Sequence, residues 1–167
     1  VKLEAAAIAP VASGGQVIGF CSTRPGEGKS FVAANFAEAM ADSGRSCILV
    51  DCDLRYPALT YMLSPEADYG LAEIVKGRAA LDGAVWTDSL TRMAFMPAAS
   101  QGQVHNPHDL LASAGLQDLV EALRKRYDFV VLDLPPIVPF ADVRAMIDVV
   151  DSFVFIVEWG NTSRDAA

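Results

Sequence analysis

Along the chain the apolar positions change period. Short runs at 16–22 (QVIGFCS), 46–52 (SCILVDC), 92–97 (RMAFMP), 128–134 (DFVVLDL) and 152–159 (SFVFIVEW) predict strands. Several are apolar on both faces, as in a parallel sheet covered on two sides. Between them, stretches of helical period predict helices over 29–44, with Gly44 as the stop, and over 70–77, 108–127 and 141–150. In the longest of these, Leu110, Leu111, Leu116, Leu119, Val120 and Leu123 share one side, while Glu121, Arg124 and Lys125 fall toward the other. That helix is expected to pack on the sheet. Strands alternating with helices specify an α/β fold with a mainly parallel sheet. Breaks such as Pro135-Pro136 and Gly160 follow strands, where the ligand-binding loops of open α/β sheets gather.

Composition narrows the picture. A chain of 167 residues that is 52% apolar suits one globular domain with a single core, and a net charge of −8 argues against general attraction to nucleic acid or anionic lipid. Cys21, Cys47 and Cys52 have no metal-ligand spacing and cannot all pair, which points to a reducing, cytoplasmic setting. No run reaches the roughly 18–20 apolar residues of a membrane span. Residues 1–167 therefore read as one soluble domain. The absence of an initial methionine and the ending NTSRDAA, soon after an apolar run, suggest a piece cut from a longer chain at both ends.

The most informative stretch is STRPGEGKS, 22–30. Against the phosphate-loop pattern G-x-x-x-x-G-K-[ST] it matches Gly28, Lys29 and Ser30, with Thr23 at the first glycine's position. It follows a strand and opens a helix, so N–H groups from Gly26 to Ser30 can converge on a phosphate at the positive end of the helix dipole. Lys29 is placed to bridge β- and γ-phosphates and the Ser30 hydroxyl to bind Mg²⁺. A capped Gly-Pro turn explains a glycine or two, but not Gly-Lys-Ser at a strand-to-helix junction.

A nucleotide site also needs carboxylates around the metal. ILVDCD ends in Asp51 and Asp53, and FVVLDLPP places Asp133 after four apolar residues. Such aspartates can simply cap turns. Three of them at strand ends beside one phosphate loop favour a cation, because buried carboxylates are costly without one.

Together, STRPGEGKS, ILVDCDLRYP and YDFVVLDLPP resemble the Walker A, A′ and B motifs of bacterial tyrosine kinases, the cytoplasmic domains of polysaccharide co-polymerases. NPHDLLAS, DLPPIVPFADVRAM and VEWGNTSR are most similar to the succinoglycan-type exopolysaccharide transport proteins. The resemblance runs from about Val1 to the end and implies a three-layer P-loop NTPase fold of the deviant-Walker type, shared with septum-site and partition ATPases. It implies ATP and Mg²⁺ as cofactors, held by Arg24, Pro25, Gly26, Glu27, Gly28, Lys29, Ser30 and Phe31. The metal set would be Ser30, Asp51, Asp53 and Asp133, with Lys29 and Asp51 catalytic and Asp51 taking the proton of an incoming tyrosine hydroxyl. Arg24 stands where partition ATPases carry a signature lysine and the kinases carry arginine. The implied partners are neighbouring copies of the same chain, in a homo-oligomer or ring, and the membrane-spanning region of the same full-length bacterial inner-membrane protein.

Departures from the family bound this expectation. The tyrosines are Tyr56, Tyr61, Tyr69 and Tyr127, with no C-terminal cluster, so the kinases' usual substrate segment is not among these residues. VKLEAA reads as the trailing end of the kinases' assembly helix. Cys52 replaces a small residue between the two aspartates, and Asn161 stands where a basic residue is common. His105 and His108 suit a hydrated loop with a helix starting at His108/Asp109 better than a metal or acid–base pair. Tyr56, in the Arg55-Tyr56-Pro57 switch segment, suits packing or framing the nucleotide better than autophosphorylation. Trp86, Phe129, Phe153 and Phe155 read as core or partial surface packing, and the 158–164 segment is open between a loop and a contact with adenine or ribose.

The expectation is an ATP-dependent, autophosphorylating tyrosine kinase domain regulating exopolysaccharide polymerisation and export. The alternatives are a nucleotide-driven assembly switch with slow hydrolysis and a module that holds ATP without turnover.

Overall fold

The structure is a computed structural model that describes residues 14–98, 104–138, 140 and 142–162. VKLEAA and the end of the 158–164 segment lie outside these residues. The chain order is β1 (Gln16–Ser22), α1 (Lys29–Asp42), β2 (Cys47–Asp51), α2 (Ala58–Leu63), α3 (Leu71–Val75), β3 (Trp86–Thr87), β4 (Ala94–Met96), α4 (Pro107–Leu111), α5 (Ala114–Arg124), β5 (Phe129–Asp133) and β6 (Ser152–Ile156).

The strands form one sheet in the order β3-β4-β2-β5-β1-β6, parallel throughout except for the β3–β4 pair. The expected α/β architecture is the one observed. Side-chain alternation divides the core in two. Ile18 and Phe20 of β1, Leu49 of β2 and Val131 of β5 face α1, whose Ala33 and Ala37 lie one turn apart and let the helix approach closely. Val17, Ile48, Val50, Val130 and Leu132 face the opposite layer, where α5 contributes Leu116, Leu119, Val120 and Leu123 at helical spacing.

Several elements differ from the sequence expectation. The helix predicted over 108–127 is two helices, broken where Ser113 takes extended backbone and caps α5 by accepting a hydrogen bond from the Leu116 N–H at 3.3 Å. Gly115 then lies against α3, where a Cβ would come within 3.0 Å of the Val75 carbonyl oxygen. Of the predicted 141–150 helix, the described residues 142–150 carry only a short 3₁₀ turn, Asp142–Met146, and α2 was not foreseen. The predicted 92–97 strand shrinks to Ala94–Met96 because Arg92, at φ 61, closes a turn against Asp88 and brings in the short antiparallel β3. Strand β6 ends at Ile156, and Phe153 and Phe155 of this edge strand stay partly exposed, as does Trp86.

Two glycines test how the sheet is held. A Cβ on Gly15 would lie 1.8 Å from the Tyr127 carbonyl oxygen, which is backbone and cannot turn aside. On Gly19 it would meet the Leu134 methyl at 2.8 Å and the Phe153 ring at 3.2 Å, both side chains. Gly15→Ala is expected to destabilise by roughly 3 kcal/mol or more and Gly19→Ala by about half that, read from urea denaturation midpoints.

Candidate functional site

The phosphate loop begins where β1 runs out. The Ser22 hydroxyl donates to the Arg24 carbonyl at 2.9 Å, and Gly26 and Gly28 then take φ of 89° and 88°. A Cβ on either would meet nothing within 4 Å, so conformation rather than crowding requires glycine there. Left-handed residues alternating with ordinary ones turn successive N–H groups toward one point, and the first-turn N–H groups of α1 have no intrahelical acceptors. The side chains divide differently. Lys29 and Ser30 turn toward the centre of the site, whereas Phe31, 73% exposed, and Arg24 face solvent. Any contact of Phe31 or Arg24 with a ligand lies at its periphery.

Strand register supplies the carboxylates. Asp51 ends β2 and Asp133 ends β5 at directly paired positions, and Asp53 lies two residues past β2. The Lys29 ammonium sits 3.2 Å from Asp53 Oδ2, 3.1 Å from Asp133 Oδ1 and 3.2 Å from Ser30 Oγ. Burial by itself would lower the Lys29 pKa, but Asp133 and Asp53 outweigh it and raise the pKa. Burial raises the Asp133 pKa, an effect that Lys29 and Ser30 oppose.

Asp51 is placed otherwise than the base role suggests. It is fully buried; Oδ1 accepts the Asp53 N–H at 3.1 Å, and Oδ2 accepts the Thr60 N–H at 2.9 Å and the Thr60 hydroxyl at 2.8 Å. Thr60 Oγ1 in turn accepts the Ala98 N–H at 2.8 Å. Burial, reinforced by repulsion from Asp133, raises the Asp51 pKa to about 7 against the pull of these donors. In this arrangement Asp51 orders α2 and the end of β4, and its oxygens are occupied.

The site fits a cation and a polyphosphate on two counts. Asp133 Oδ2 and Thr23 Oγ1 are buried without hydrogen-bond partners, a costly arrangement that a metal-bound water or a ligand atom relieves. Asp53 and Asp133 also share the single Lys29 ammonium, while Asp51 lies close enough to Asp133 to be repelled by it. No group of three or more His, Cys, Asp or Glu side chains among the described residues forms a ready metal cage, so ligand oxygens and water must complete a metal shell.

Sequence reasoning missed Thr60, which lies in an apolar run with no motif to mark it. It also missed the buried Asp142, which accepts Arg55 Nε at 2.7 Å and Nη2 at 3.3 Å and lies 3.8 Å from His108 Nδ1. Arg55 stacks over Phe140 with 4.4 Å to the ring centroid, and Tyr56 is 63% exposed. A cavity of about 300 Å³ opens beside them, lined in part by Arg55, Tyr56, His105 and Phe140. The three cysteines are buried thiols with raised pKa, Cys21 to about 11 and Cys47 to about 12, and so stay protonated.

Known proteins resemble this chain in sequence and in fold. The family described as an AAA domain matches residues 15–163. The succinoglycan biosynthesis transport protein ExoP of Rhizobium meliloti is 40% identical over 148 residues, 88% of this chain and 19% of its own length. The tyrosine-protein kinase YwqD of Bacillus subtilis is 31% identical over 147 residues, 87% of this chain and 61% of its own. The crystal structure of the VpsO kinase domain superimposes with a TM-score of 0.84 at 28% identity, covering 91% of this chain and 74% of that one. This chain thus spans about a fifth of the first relative and about three fifths of the second. The likeness to bacterial tyrosine kinases expected from the motifs is the likeness found. No helix among the described residues is long and apolar enough to cross a membrane.

The raised Asp51 pKa sets a pH dependence. A carboxylate whose folded pKa lies above its unfolded value adds stability that is complete below the unfolded pKa near 3.8 and is lost as pH rises through about 7. Relative to Asp51→Asn, the ligand-free wild type is therefore expected to lose up to about 1.4 kcal/mol per pH unit between about pH 5 and 7. Denaturant titrations of both proteins across that range check it; parallel pH profiles would count against it.

Proposed function

The chain belongs to the AAA domain family matched over residues 15–163, and from that premise we propose that it is the catalytic domain of an ATP- and Mg²⁺-dependent tyrosine kinase. In this reading it phosphorylates tyrosines of a neighbouring copy of the same bacterial inner-membrane protein, on the cytoplasmic side, and so regulates exopolysaccharide polymerisation and export. The observation that carries the reading is the convergence of Lys29, Ser30, Asp53 and Asp133 below a phosphate loop, in a chain 31% identical to a tyrosine-protein kinase.

The residues divide the work as follows. The loop N–H groups from Gly26 to Ser30 hold the phosphates, and Lys29 exchanges its carboxylate partners for β- and γ-phosphate oxygens. A bound magnesium ion would be held by the Ser30 hydroxyl, with Asp53 and Asp133 placed to hold its waters. Magnesium, when bound, neutralises charge on the transferred group and orients it. The tyrosine oxygen forms the new bond to γ-phosphorus as the bond to the β,γ-bridging oxygen breaks, and the phenolic proton passes to Asp51. For that last role Asp51, which is fully buried and whose Oδ2 is covered by the Thr60 hydroxyl in this structure, must become accessible to the phenol. Most of the rate enhancement then comes from positioning and charge stabilisation.

The engagement of both Asp51 oxygens favours a second reading, a nucleotide-driven assembly switch that hydrolyses ATP slowly. One experiment separates the two. With γ-labelled ATP and Mg²⁺, the full-length protein is expected to yield phosphotyrosine, reduced roughly 10²-fold or more by Lys29→Ala and also strongly by Asp51→Asn. Free phosphate without phosphotyrosine would assign the switch instead.

A further inference from the structure

Glu27 is the one acidic residue of the phosphate loop, a position where a free negative charge would oppose phosphate binding. Its carboxylate is not free. Oε2 accepts the Arg24 N–H at 2.7 Å and closes the loop on itself. Oε1 accepts the Glu158 N–H at 3.3 Å and the Thr162 hydroxyl. The second set of partners lies 131 and 135 residues away, in the turn that follows β6.

That turn is itself closed. Asn161 and Thr162 donate their N–H groups to the Glu158 carbonyl at 3.3 and 3.2 Å, and Gly160 takes φ 85°. The loop and the turn leave adjacent parallel strands at one edge of the sheet, with Ser22 of β1 paired to Ile156 of β6. Ligands of open parallel sheets bind at that edge, outside the carboxyl ends of the strands. A ligand whose phosphates sit in the loop therefore has the 158–162 turn as a neighbouring wall.

We infer that Glu27 is a positioning residue that clamps the phosphate loop to the 158–162 turn, so that the phosphates and the nucleoside of one nucleotide are gripped by a single connected unit. This rests on the nucleotide reading above. The carboxylate does not touch the phosphates. It turns its charge onto three donors and leaves the loop N–H groups to the ligand. Burial is the largest single influence on its pKa and raises it, but the hydrogen bonds from Thr162, Arg24 and Glu158 together hold it below the ordinary value, so the clamp stays charged at neutral pH.

The test is a double-mutant cycle on the full-length protein, with Glu27→Gln, Thr162→Val and the pair, titrated calorimetrically with Mg²⁺·ADP and with Mg²⁺·pyrophosphate. Both positions lie near the surface, and thermal midpoints check that each variant folds. Each single variant is expected to weaken ADP binding about five- to tenfold, and the pair no more than about twofold beyond the weaker-binding single variant. Pyrophosphate binding is expected to fall with Glu27→Gln and to stay within about twofold of wild type with Thr162→Val, because under the clamp the turn grips the nucleoside rather than the phosphates. Losses that multiply in the pair, or equal losses for both ligands with Thr162→Val, would overturn the clamp alone. A wild type that bound neither ligand would overturn the nucleotide reading and the clamp with it.

Discussion

One ammonium between two carboxylates holds the centre of this protein together. Lys29 lies about 3 Å from both Asp53 and Asp133, nearly out of contact with water, at an edge of the sheet where an ionised carboxylate alone would be costly. The arrangement is not balanced, because Asp51 pairs in register with Asp133 and adds a third acid to a single base. The fold responds by wrapping Asp51 in donors from Asp53 and Thr60 and by raising its pKa toward neutrality. A site with excess negative charge and an orphaned carboxylate oxygen has the chemistry to accept a cation.

The sheet makes that concentration of charge possible. Both faces of its central strands are covered, by α1 on one side and α5 on the other, so the strands hold their register rigidly. Chemistry is left to what projects past their carboxyl ends: the phosphate loop after β1, Asp53 after β2, and the turn after β6. These segments are joined to one another by side chains rather than by the ladder. Thr60 links Asp51 to the backbone beyond β4, Asp142 receives Arg55 from the segment after β2, and Glu27 spans from β1 to β6. A rigid sheet carrying loops tied by hydrogen bonds allows a ligand to reorganise the loops without disturbing the core.

How far the sequence could be read depended on distance along the chain. The phosphate loop and the strand-end aspartates were legible because each depends on neighbours within a few residues: an apolar run, then a glycine turn or a carboxylate. The α1 and α5 faces were legible for the same reason, through helical spacing. The break at Ala112–Ser113 was not, since the apolar pattern runs through it and only a side-chain cap marks the new start. Nor was the short 3₁₀ turn Asp142–Met146 within the predicted 141–150 helix, since helical spacing of apolar residues does not distinguish a single turn from a full helix.

The amino-acid sequence by itself determined the fold class, the glycine-rich loop between β1 and α1 and the identity of the acids and the base around it. These follow from short-range patterns that backbone geometry converts directly into structure. The tertiary structure decided who pairs with whom. Lys29 and Asp133 are 104 residues apart, and Glu27 meets Thr162 across 135. Such partnerships depend on strand order and parallel register, which are settled by the packing of the whole core, so no local window contains them. That is why Asp51 could be recognised as part of the site while its engagement by Thr60 could not.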